Sequence, residues 1–212
     1  MNNKLIGISG KMGAGKDHFA KVFQLIFQNP LLSDVEIAKY SLLPVANESG
    51  WEVKKYAYKL KLITSILTGI AVDDLENPNI KNQSLGNMWD DMTVRKFLQL
   101  LGTDAIRNNL HYNTWINALF SDYTTDSKWL ITDVRFVNEY NAVKYYNGIN
   151  VRIQSDYIHS RDGNHVLRNY TEQHESEVAL DKHQFDYVIV HNDSLEVFVK
   201  NVRKLMKKLN FI

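Results

Sequence analysis

The chain has 212 residues, of which 44% are hydrophobic and 23% charged, and its 25 Lys and Arg nearly balance its 24 Asp and Glu. This balance argues against a general nucleic-acid or membrane-surface binder, in which one sign of charge dominates. The length suits one substantial hydrophobic core. The chain lacks cysteine, a signal-peptide pattern and a membrane-spanning apolar run, so a soluble, cytoplasmic protein without disulfides or thiolate metal sites is expected.

The first predicted strand, residues 4–9, leads directly into a glycine-rich segment. Gly10, Gly15 and Lys16 fit the spacing G-x-x-x-x-G-K, and Gly13 adds a further glycine inside it. In such a frame, backbone N–H groups curl around a polyphosphate and the lysine reaches the outer phosphates. Because a strand precedes the segment and a helix follows it, a phosphate-binding loop is predicted. An ordinary glycine-rich turn is the alternative.

Strands and helices alternate beyond this loop, which predicts a parallel sheet wrapped by helices, an α/β protein. Further strands are predicted at residues 53–58, 128–134, 150–154 and 185–190. Helices are predicted at residues 17–28, 33–42, 59–70, 93–102, from 103 or 104 onward, 113–123, 138–146, 172–180 and 195–209. Two segments lack apolar periodicity and are expected to be irregular, the second as a mobile polar loop: residues 73–87 and 155–171.

A parallel sheet binds its ligands at the carboxyl ends of the strands, where both the glycine-rich loop and Asp133 fall. Asp133 follows an apolar strand and is a candidate to hold Mg²⁺ through water, although a helix-capping aspartate fits the same position. Arg135, two residues on, can grip a phosphate or neutralise charge on a transferred phosphoryl group. A solvated surface arginine is equally compatible with its position.

Residues 93–115 offer three more candidates. Arg95 is either a solvated helix residue or a phosphate ligand, and Trp115 either stacks on a base or belongs to the core. With Arg107, Arg135 and Arg161, Arg95 makes a set of arginines beyond the loop. Such a set favours a second phosphorylated ligand.

The polar loop and the last helices supply weaker candidates. Arg161 is a candidate lid arginine that closes over phosphates. His174 and Glu175 do not have the spacing of a zinc site, and helix capping and first-turn charge account for them. Asn192 and Asp193 follow the last strand, where they contact an adenine ring or merely precede a helix N-cap.

Five segments together resemble the bacteriophage-type deoxynucleoside monophosphate kinases: GISGKMGAGKD, TVRKFLQLLGTD, ITDVRFVNE, HESE and FDYVIVHNDSLE. The resemblance keeps the motif order over nearly the whole chain, apart from residues 31–51 and 73–92. It implies a P-loop kinase fold, with a five-stranded parallel sheet in the order 2-3-1-4-5 and helices on both faces. It also implies transfer of the terminal phosphoryl group of ATP to a deoxynucleoside monophosphate, with Mg²⁺.

The resemblance further implies one domain, residues 1–212, with a core, an acceptor-binding helical region and a lid. The core would comprise residues 1–30, 52–60, 125–154 and 183–212, the helical region about 60–124 and the lid about 155–173. A small nucleotide would be the partner, without a nucleic-acid polymer or a membrane. Whether the chain forms a homodimer, which bases it accepts and whether it rejects ribose stay open.

Individual roles follow from the same resemblance. Residues that would bind ATP are Gly10, Lys11, Met12, Gly13, Ala14, Gly15, Lys16, Asp17, His18, Arg161, Asn192 and Asp193. Residues that would bind the acceptor are Lys59, Arg95, Arg107, Trp115, Asp133, Arg135, His174 and Glu175. Catalysis would rest on Lys16, Asp17, Arg135 and Arg161, and the metal on Asp17 and Asp133. Asp17 replaces the usual Ser or Thr of the loop, and His18 stands where the family often has Thr, so the metal shell is expected to differ.

Two other functions remain open from the sequence. The animal-type phosphomevalonate kinases also resemble this pattern, with a Gly-Lys-Asp loop, a strand-end aspartate near an arginine and an acidic-Ser-acidic segment. A nucleotide-dependent switch or assembly factor would bind ATP and transfer nothing to a small acceptor.

Overall fold

A computed structural model describes residues 4–159, 165–167 and 175–212. The chain divides into two compact units. The first unit joins Met1–Lys54 with Thr124–Ile212, and the second is Lys55–Tyr123. Among the residues described, no helix combines the length and the apolar character that crossing a membrane requires.

A five-stranded parallel sheet forms the first unit, as predicted. The described residues form the strands β1 Leu5–Ser9, β2 Glu52–Lys54, β3 Trp129–Ile131, β4 Ile149–Gln154, β5 Tyr157–His159, β6 His165–Leu167 and β7 Tyr187–Val190. The sheet order is β2-β3-β1-β4-β7. The edge strand beside β4 is therefore the seventh of the described strands and not the fifth, because β5 and β6, which pair with each other in antiparallel fashion, precede it. The expectation of an entirely irregular segment at 155–171 was wrong at these two strands.

The helices are α1 Lys16–Gln28, α2 Asp34–Ser41, α3 Ala57–Thr68, α4 Pro78–Lys81, α5 Val94–Gln99, α6 Thr114–Phe120, α7 Val137–Tyr145, α8 Glu175–Val178 and α9 Leu195–Lys208. The weakly patterned α2 is confirmed. Its N-cap, Ser33, forms a capping box with Glu36, which satisfies two backbone N–H groups at the helix start.

Burial of β1 positions the glycine-rich loop. All five residues of this strand are buried between β3 and β4, and its core residues Ile6 and Ile8 are fully inaccessible. Phe19 and Phe23 of α1 and Phe198 of α9 belong to the same apolar cluster. The loop after β1 therefore begins and ends on rigid, buried elements.

The second unit is helical, and two sequence-based expectations fail in it. The helix that begins at the N-cap Thr93 does not stop at Gly102, because a π-helix, Leu100–Leu110, continues directly from α5. Gly102 lies inside this helix, where a Cβ atom would come within 2.7 Å of the Leu60 side chain. Its lack of a side chain thus serves close packing and not helix termination. Residues 73–87, expected to be irregular, contain α4 and the 3₁₀ turn Asp74–Glu76, and a second 3₁₀ turn begins at Asn87.

Candidate active site

Two glycines of the loop have backbone conformations that other residues adopt only with strain. Gly13 has a φ of 71° and Gly15, the N-cap of α1, has a φ of 98°. Side chains also close in on both positions. A Cβ atom at Gly13 would lie 2.6 Å from Ile158, and one at Gly15 would lie 2.6 Å from the His191 ring. The loop therefore needs glycine at both positions for steric reasons.

Lys16 forms hydrogen bonds with the backbone of its own loop. Its ammonium donates to the carbonyl oxygens of Gly10, at 2.8 Å, and Lys11, at 2.7 Å. Burial and the nearby Arg135 guanidinium lower the pKa of Lys16 to about 7, although Glu177 and Asp17 act in the opposite direction. At neutral pH this amine is therefore close to its protonation midpoint.

Asp17 and Thr132 form a polar pair at the carboxyl end of the sheet. The Thr132 hydroxyl donates to the Asp17 carboxylate at 2.7 Å, and Thr132 itself is buried. Asp133, also buried, follows Thr132 directly at the end of β3. In P-loop NTPases the loop supplies a hydroxyl and the strand end a carboxylate to Mg²⁺. Here the loop carries a carboxylate, and the strand end carries both groups.

The donors at this edge of the sheet fit Mg²⁺. That ion is usually bound by one or two carboxylates together with substrate phosphates and water. Asp17 and Asp133 provide such carboxylates, and Thr132 orients one of them. Within the described parts of the chain, no group of three or more His, Asp or Glu side chains is arranged so that it could hold a metal ion.

Glu177 links the loop to Arg135. One carboxylate oxygen accepts the Met12 backbone N–H at 2.7 Å, and the other accepts from the Arg135 guanidinium. Burial alone would raise the pKa of Glu177, but Arg135, the Met12 amide and Lys16 outweigh it and lower that pKa. Burial likewise opposes the charge of Arg135, yet Glu177 and Asp133 raise its pKa. Both groups are therefore ionised at neutral pH.

A second ionic group joins α8 and the segment after it to the loop. The Lys11 ammonium donates to the Glu177 carbonyl at 2.7 Å and to the Asp181 carboxylate at 2.5 Å. Arg152 of β4 donates to the other oxygen of Asp181, at 2.9 Å, and to Ser9 at the end of β1. Residues 177–181 are thus joined to the loop and to the sheet.

His18 faces α2. Its Nε2 lies 2.8 Å from the Ser41 hydroxyl, and its ring meets Phe198 edge to face. His191, at the end of β7, stacks on the same phenylalanine with ring centroids 4.0 Å apart. His18 therefore takes part in packing beside the loop.

Asn192 connects the ends of two strands. Its amide nitrogen donates to the Asp156 carboxylate at 2.6 Å, and its oxygen accepts the Asp156 backbone N–H at 2.9 Å. Asp193, the next residue, is exposed. Asn192 therefore has a structural role in this conformation, and the adenine contact, one of two alternatives from the sequence, stays a prediction.

Four acceptor candidates lie in the second unit. Lys59 donates to the Ala118 carbonyl at 2.5 Å, and the Arg95 Nε donates to Asn82 at 3.1 Å. The other two are more deeply placed. Arg107 is 4% exposed, and Trp115, 6% exposed, donates its indole N–H to the Gly102 carbonyl at 2.9 Å. In this conformation Trp115 contributes to the interior of its unit.

Three candidates remain. Arg161 and His174 lie outside the described residues, and Glu175 is exposed at the start of α8. Sequence reasoning missed Thr132 and Glu177 as site residues, although both lie inside segments that carried the family resemblance. Their partners are 115 and 165 positions away in the chain, so no local spacing could reveal the contacts.

Comparison with known proteins identifies the family. A family model described as deoxynucleotide monophosphate kinase matches residues 32–202. A provisionally named deoxynucleotide monophosphate kinase of Acanthamoeba polyphaga mimivirus is 26% identical over 168 residues, which cover 72% of this chain and 81% of the relative.

The matches to the deoxynucleotide monophosphate kinases of Escherichia phage RB69 and Enterobacteria phage T4 cover a smaller share of each relative. The first is 22% identical over 156 residues, covering 70% of this chain and 59% of the relative. The second is 25% identical over 130 residues, covering 59% of this chain and 50% of the relative. These matches favour the first of the three functions that the sequence left open. Because the family model matches most of the chain, the protein belongs to the deoxynucleotide monophosphate kinase family.

Proposed function

We propose that the protein transfers the γ-phosphoryl group of ATP to a deoxynucleoside monophosphate, giving ADP and the deoxynucleoside diphosphate. Membership of a kinase family implies a nucleotide acceptor and ATP as donor, usually with Mg²⁺. The observation that carries the proposal is the linked set of charges around one glycine-rich loop. Lys16 lies on the loop, and Arg135 is joined to the loop through Glu177.

The fold is proposed to be a P-loop kinase fold. In it, the loop from Gly10 to Asp17 is the proposed site for the ATP phosphates. Its glycines permit the close backbone approach that a polyphosphate requires, and the start of α1 adds a favourable field. Lys16 would exchange two loop carbonyls for phosphate oxygens. His18, Asn192 and Asp193 would border the same nucleotide.

Asp17 and Asp133 would hold Mg²⁺, with Thr132 fixing the orientation of Asp17. The bound ion would neutralise charge on the donor phosphates. The side chains of this site would therefore serve mainly to bind the ligands and to neutralise the charge of the phosphates.

Alignment and charge neutralisation are the main demands of phosphoryl transfer. Lys16 and Arg135 would neutralise charge that grows on the transferred group, together with Arg161 of the proposed lid. Each such contact is worth on the order of 3 kcal/mol in the barrier.

The acceptor is proposed to depend on a second group of residues, chosen for charge or for a flat aromatic face. They are Lys59, Arg95, Arg107, Trp115, His174 and Glu175, together with Asp133 and Arg135. A phosphate monoester with a deoxyribose and a base needs such cations for its phosphate and an aromatic surface for its base.

ADP release with the four deoxynucleoside monophosphates and their ribose counterparts tests the proposal. Lys16→Ala is expected to abolish acceptor-dependent ADP release while the protein stays folded by its melting temperature. Lys200→Ala removes an exposed lysine of α9 and serves as the control. Near-normal turnover by Lys16→Ala, or ADP release that no acceptor stimulates, would overturn the assignment.

A further inference from the structure

The carboxylate of Glu177 lies on the loop that the proposed function assigns to ATP. It accepts the Met12 backbone N–H at 2.7 Å, the kind of donor that a phosphate oxygen uses in such loops. Like a phosphate oxygen, an ionised carboxylate oxygen is negatively charged and can only accept hydrogen bonds. The Glu177 carboxylate therefore makes the hydrogen bond that a nucleotide phosphate oxygen is proposed to make at this loop.

The same carboxylate engages Arg135, a cation proposed to act on the transferred phosphoryl group. The two oxygens of Glu177 are divided between Met12 and Arg135. Nearby, Lys11 binds the Glu177 carbonyl and Asp181, so the segment that carries Glu177 is fastened to the loop at a further point. The contact is thus part of a docked segment and not of a single exposed side chain.

The Glu177 carboxylate and a nucleotide phosphate cannot both accept the Met12 backbone N–H. A single N–H donates fully to one acceptor, and a polyphosphate beside an ionised carboxylate is repelled, most strongly where water is scarce. Only 18% of the Glu177 side chain is exposed, so water screens this repulsion only in part.

We propose that Glu177 is a positioning residue that competes with ATP for the loop and holds Arg135 until ATP arrives. Binding of the ATP phosphates displaces the Glu177 carboxylate from Met12 and frees the Arg135 guanidinium for the phosphoryl group. The inference rests on the proposed function, because it requires the loop to be the ATP site. It adds an internal competitor that lowers the affinity of the free enzyme for ATP.

Replacement of Glu177 by glutamine keeps the shape of the side chain and removes its charge. A competitor that occupies the loop in most molecules lowers apparent affinity by the fraction that remains open. Glu177→Gln is therefore expected to bind ATP and inorganic tripolyphosphate about tenfold more tightly. A residue that only held Arg135 in place would instead leave ATP affinity unchanged and lower kcat.

Calorimetric titration with Mg²⁺-ATP and with tripolyphosphate, in the absence of acceptor, measures these affinities. The proteins are the wild type, Glu177→Gln, Lys16→Ala and the exposed charge-matched control Glu48→Gln. Tighter binding of both ligands by Glu177→Gln, with Glu48→Gln like the wild type, supports the competition. Equal or weaker binding by Glu177→Gln overturns it, and leaves the proposed function standing if Lys16→Ala weakens ATP binding. If the wild type binds no ATP, or Lys16→Ala binds it equally well, both proposals fail.

A second measurement does not depend on the size of the affinity change. In ¹⁵N-labelled protein, the Met12 amide resonance should differ between free wild type and free Glu177→Gln, because its acceptor differs. Saturating tripolyphosphate should bring the two proteins to the same Met12 shift, since Glu177 no longer contacts this amide. Resonances that stay apart at saturation would show that Glu177 remains on the loop and would overturn the proposal.

Discussion

Thr132 and Asp17 are joined by a hydrogen bond of 2.7 Å in which the threonine hydroxyl donates to the carboxylate. Thr132 follows β3 directly and Asp17 is the second residue of α1, so the bond connects the end of β3 with the start of α1 through one proposed metal ligand. Hydrogen bonds of this kind orient metal-binding carboxylates and raise metal affinity. Thr132 is therefore expected to influence the dependence of the enzyme on Mg²⁺.

Thr132→Val removes the hydroxyl and keeps the shape of the side chain. We expect the Mg²⁺ concentration for half-maximal ADP formation to rise by about tenfold, because loss of an outer hydrogen bond typically costs that much metal affinity. Thr132→Ser keeps the donor and should stay near the wild type. Equal Mg²⁺ requirements in Thr132→Val and wild type would contradict this role.

Proton uptake on ATP binding is expected from Lys16. Its pKa of about 7 in the free protein, lowered chiefly by burial, leaves the amine mostly neutral at pH 8. Polyphosphate charge favours the ammonium form, so ATP binding at pH 8 should draw in most of one proton. Calorimetry in two buffers of different ionisation enthalpy measures this uptake. Lys16→Arg is the control, since a guanidinium stays charged throughout, and equal uptake by the two proteins would count against Lys16 as the source.

The same lowered pKa predicts a trend in stability. In the unfolded chain Lys16 keeps its ordinary pKa of 10.5, so between about pH 7 and pH 10.5 the unfolded state holds more protons than the folded state. The cost of burying this amine is fully present below about pH 7 and diminishes as the pH rises. Relative to Lys16→Arg, the wild type should gain unfolding free energy from pH 7 to pH 9 in urea titrations. A constant difference would contradict the prediction.

Local chemistry made the five strands of the parallel sheet and most of the described helices predictable. The loop glycines and Lys16 have a fixed spacing, and the apolar runs of β1 and β3 identify buried strands without any knowledge of the fold. The helix predicted at residues 33–42 is α2, and its capping box joins Ser33 to Glu36, three residues on. Each of these signals depends only on residues that are close in the chain.

The features that were missed depend on tertiary contacts. Gly102 was predicted to end a helix, but it lies inside the π-helix Leu100–Leu110, where an added Cβ atom would meet the Leu60 side chain. Glu177 lies inside the HESE segment, but its partner Met12 is 165 positions away in the chain. No pattern along the chain encodes such a distance, so this part of the site needed the structure.

Gly15→Ala should destabilise the protein for two separable reasons. The left-handed backbone, with a φ of 98°, costs about 2 kcal/mol for a residue with a side chain, and the new methyl group would meet His191. Gly50→Ala provides the control, because Gly50 has a φ of 73° and nothing within 4 Å of its added Cβ. Urea unfolding should show a larger loss for Gly15→Ala than for Gly50→Ala. Adding His191→Ala to both should reduce the difference, and strictly additive losses would exclude the steric contact.

An ion pair in the second unit gives a prediction about acid stability. The ammonium of Lys61, a buried residue, donates to Glu76, and Lys55 lies 3.4 Å from the same carboxylate oxygen. Burial alone would raise the pKa of Glu76, but the two lysines outweigh burial and lower that pKa from its ordinary 4.5. The stabilisation is therefore present above pH 4.5 and is lost as the pH falls through the lowered pKa.

Glu76→Gln should lower the unfolding free energy by about 2 kcal/mol at pH 7, because it leaves the buried Lys61 without its carboxylate. The difference from the wild type should be smaller at pH 3 than at pH 7, because protonation of the Glu76 carboxylate increases as the pH falls below 4.5. Urea unfolding at both pH values measures this, with the exposed Glu48→Gln as the control for loss of one acidic group. Lys61→Met combined with Glu76→Leu removes both charges and should recover much of the loss, since an apolar pair needs no desolvation of ions. If Glu76→Gln were as stable as the wild type at pH 7, the pair would contribute nothing to the fold of the second unit.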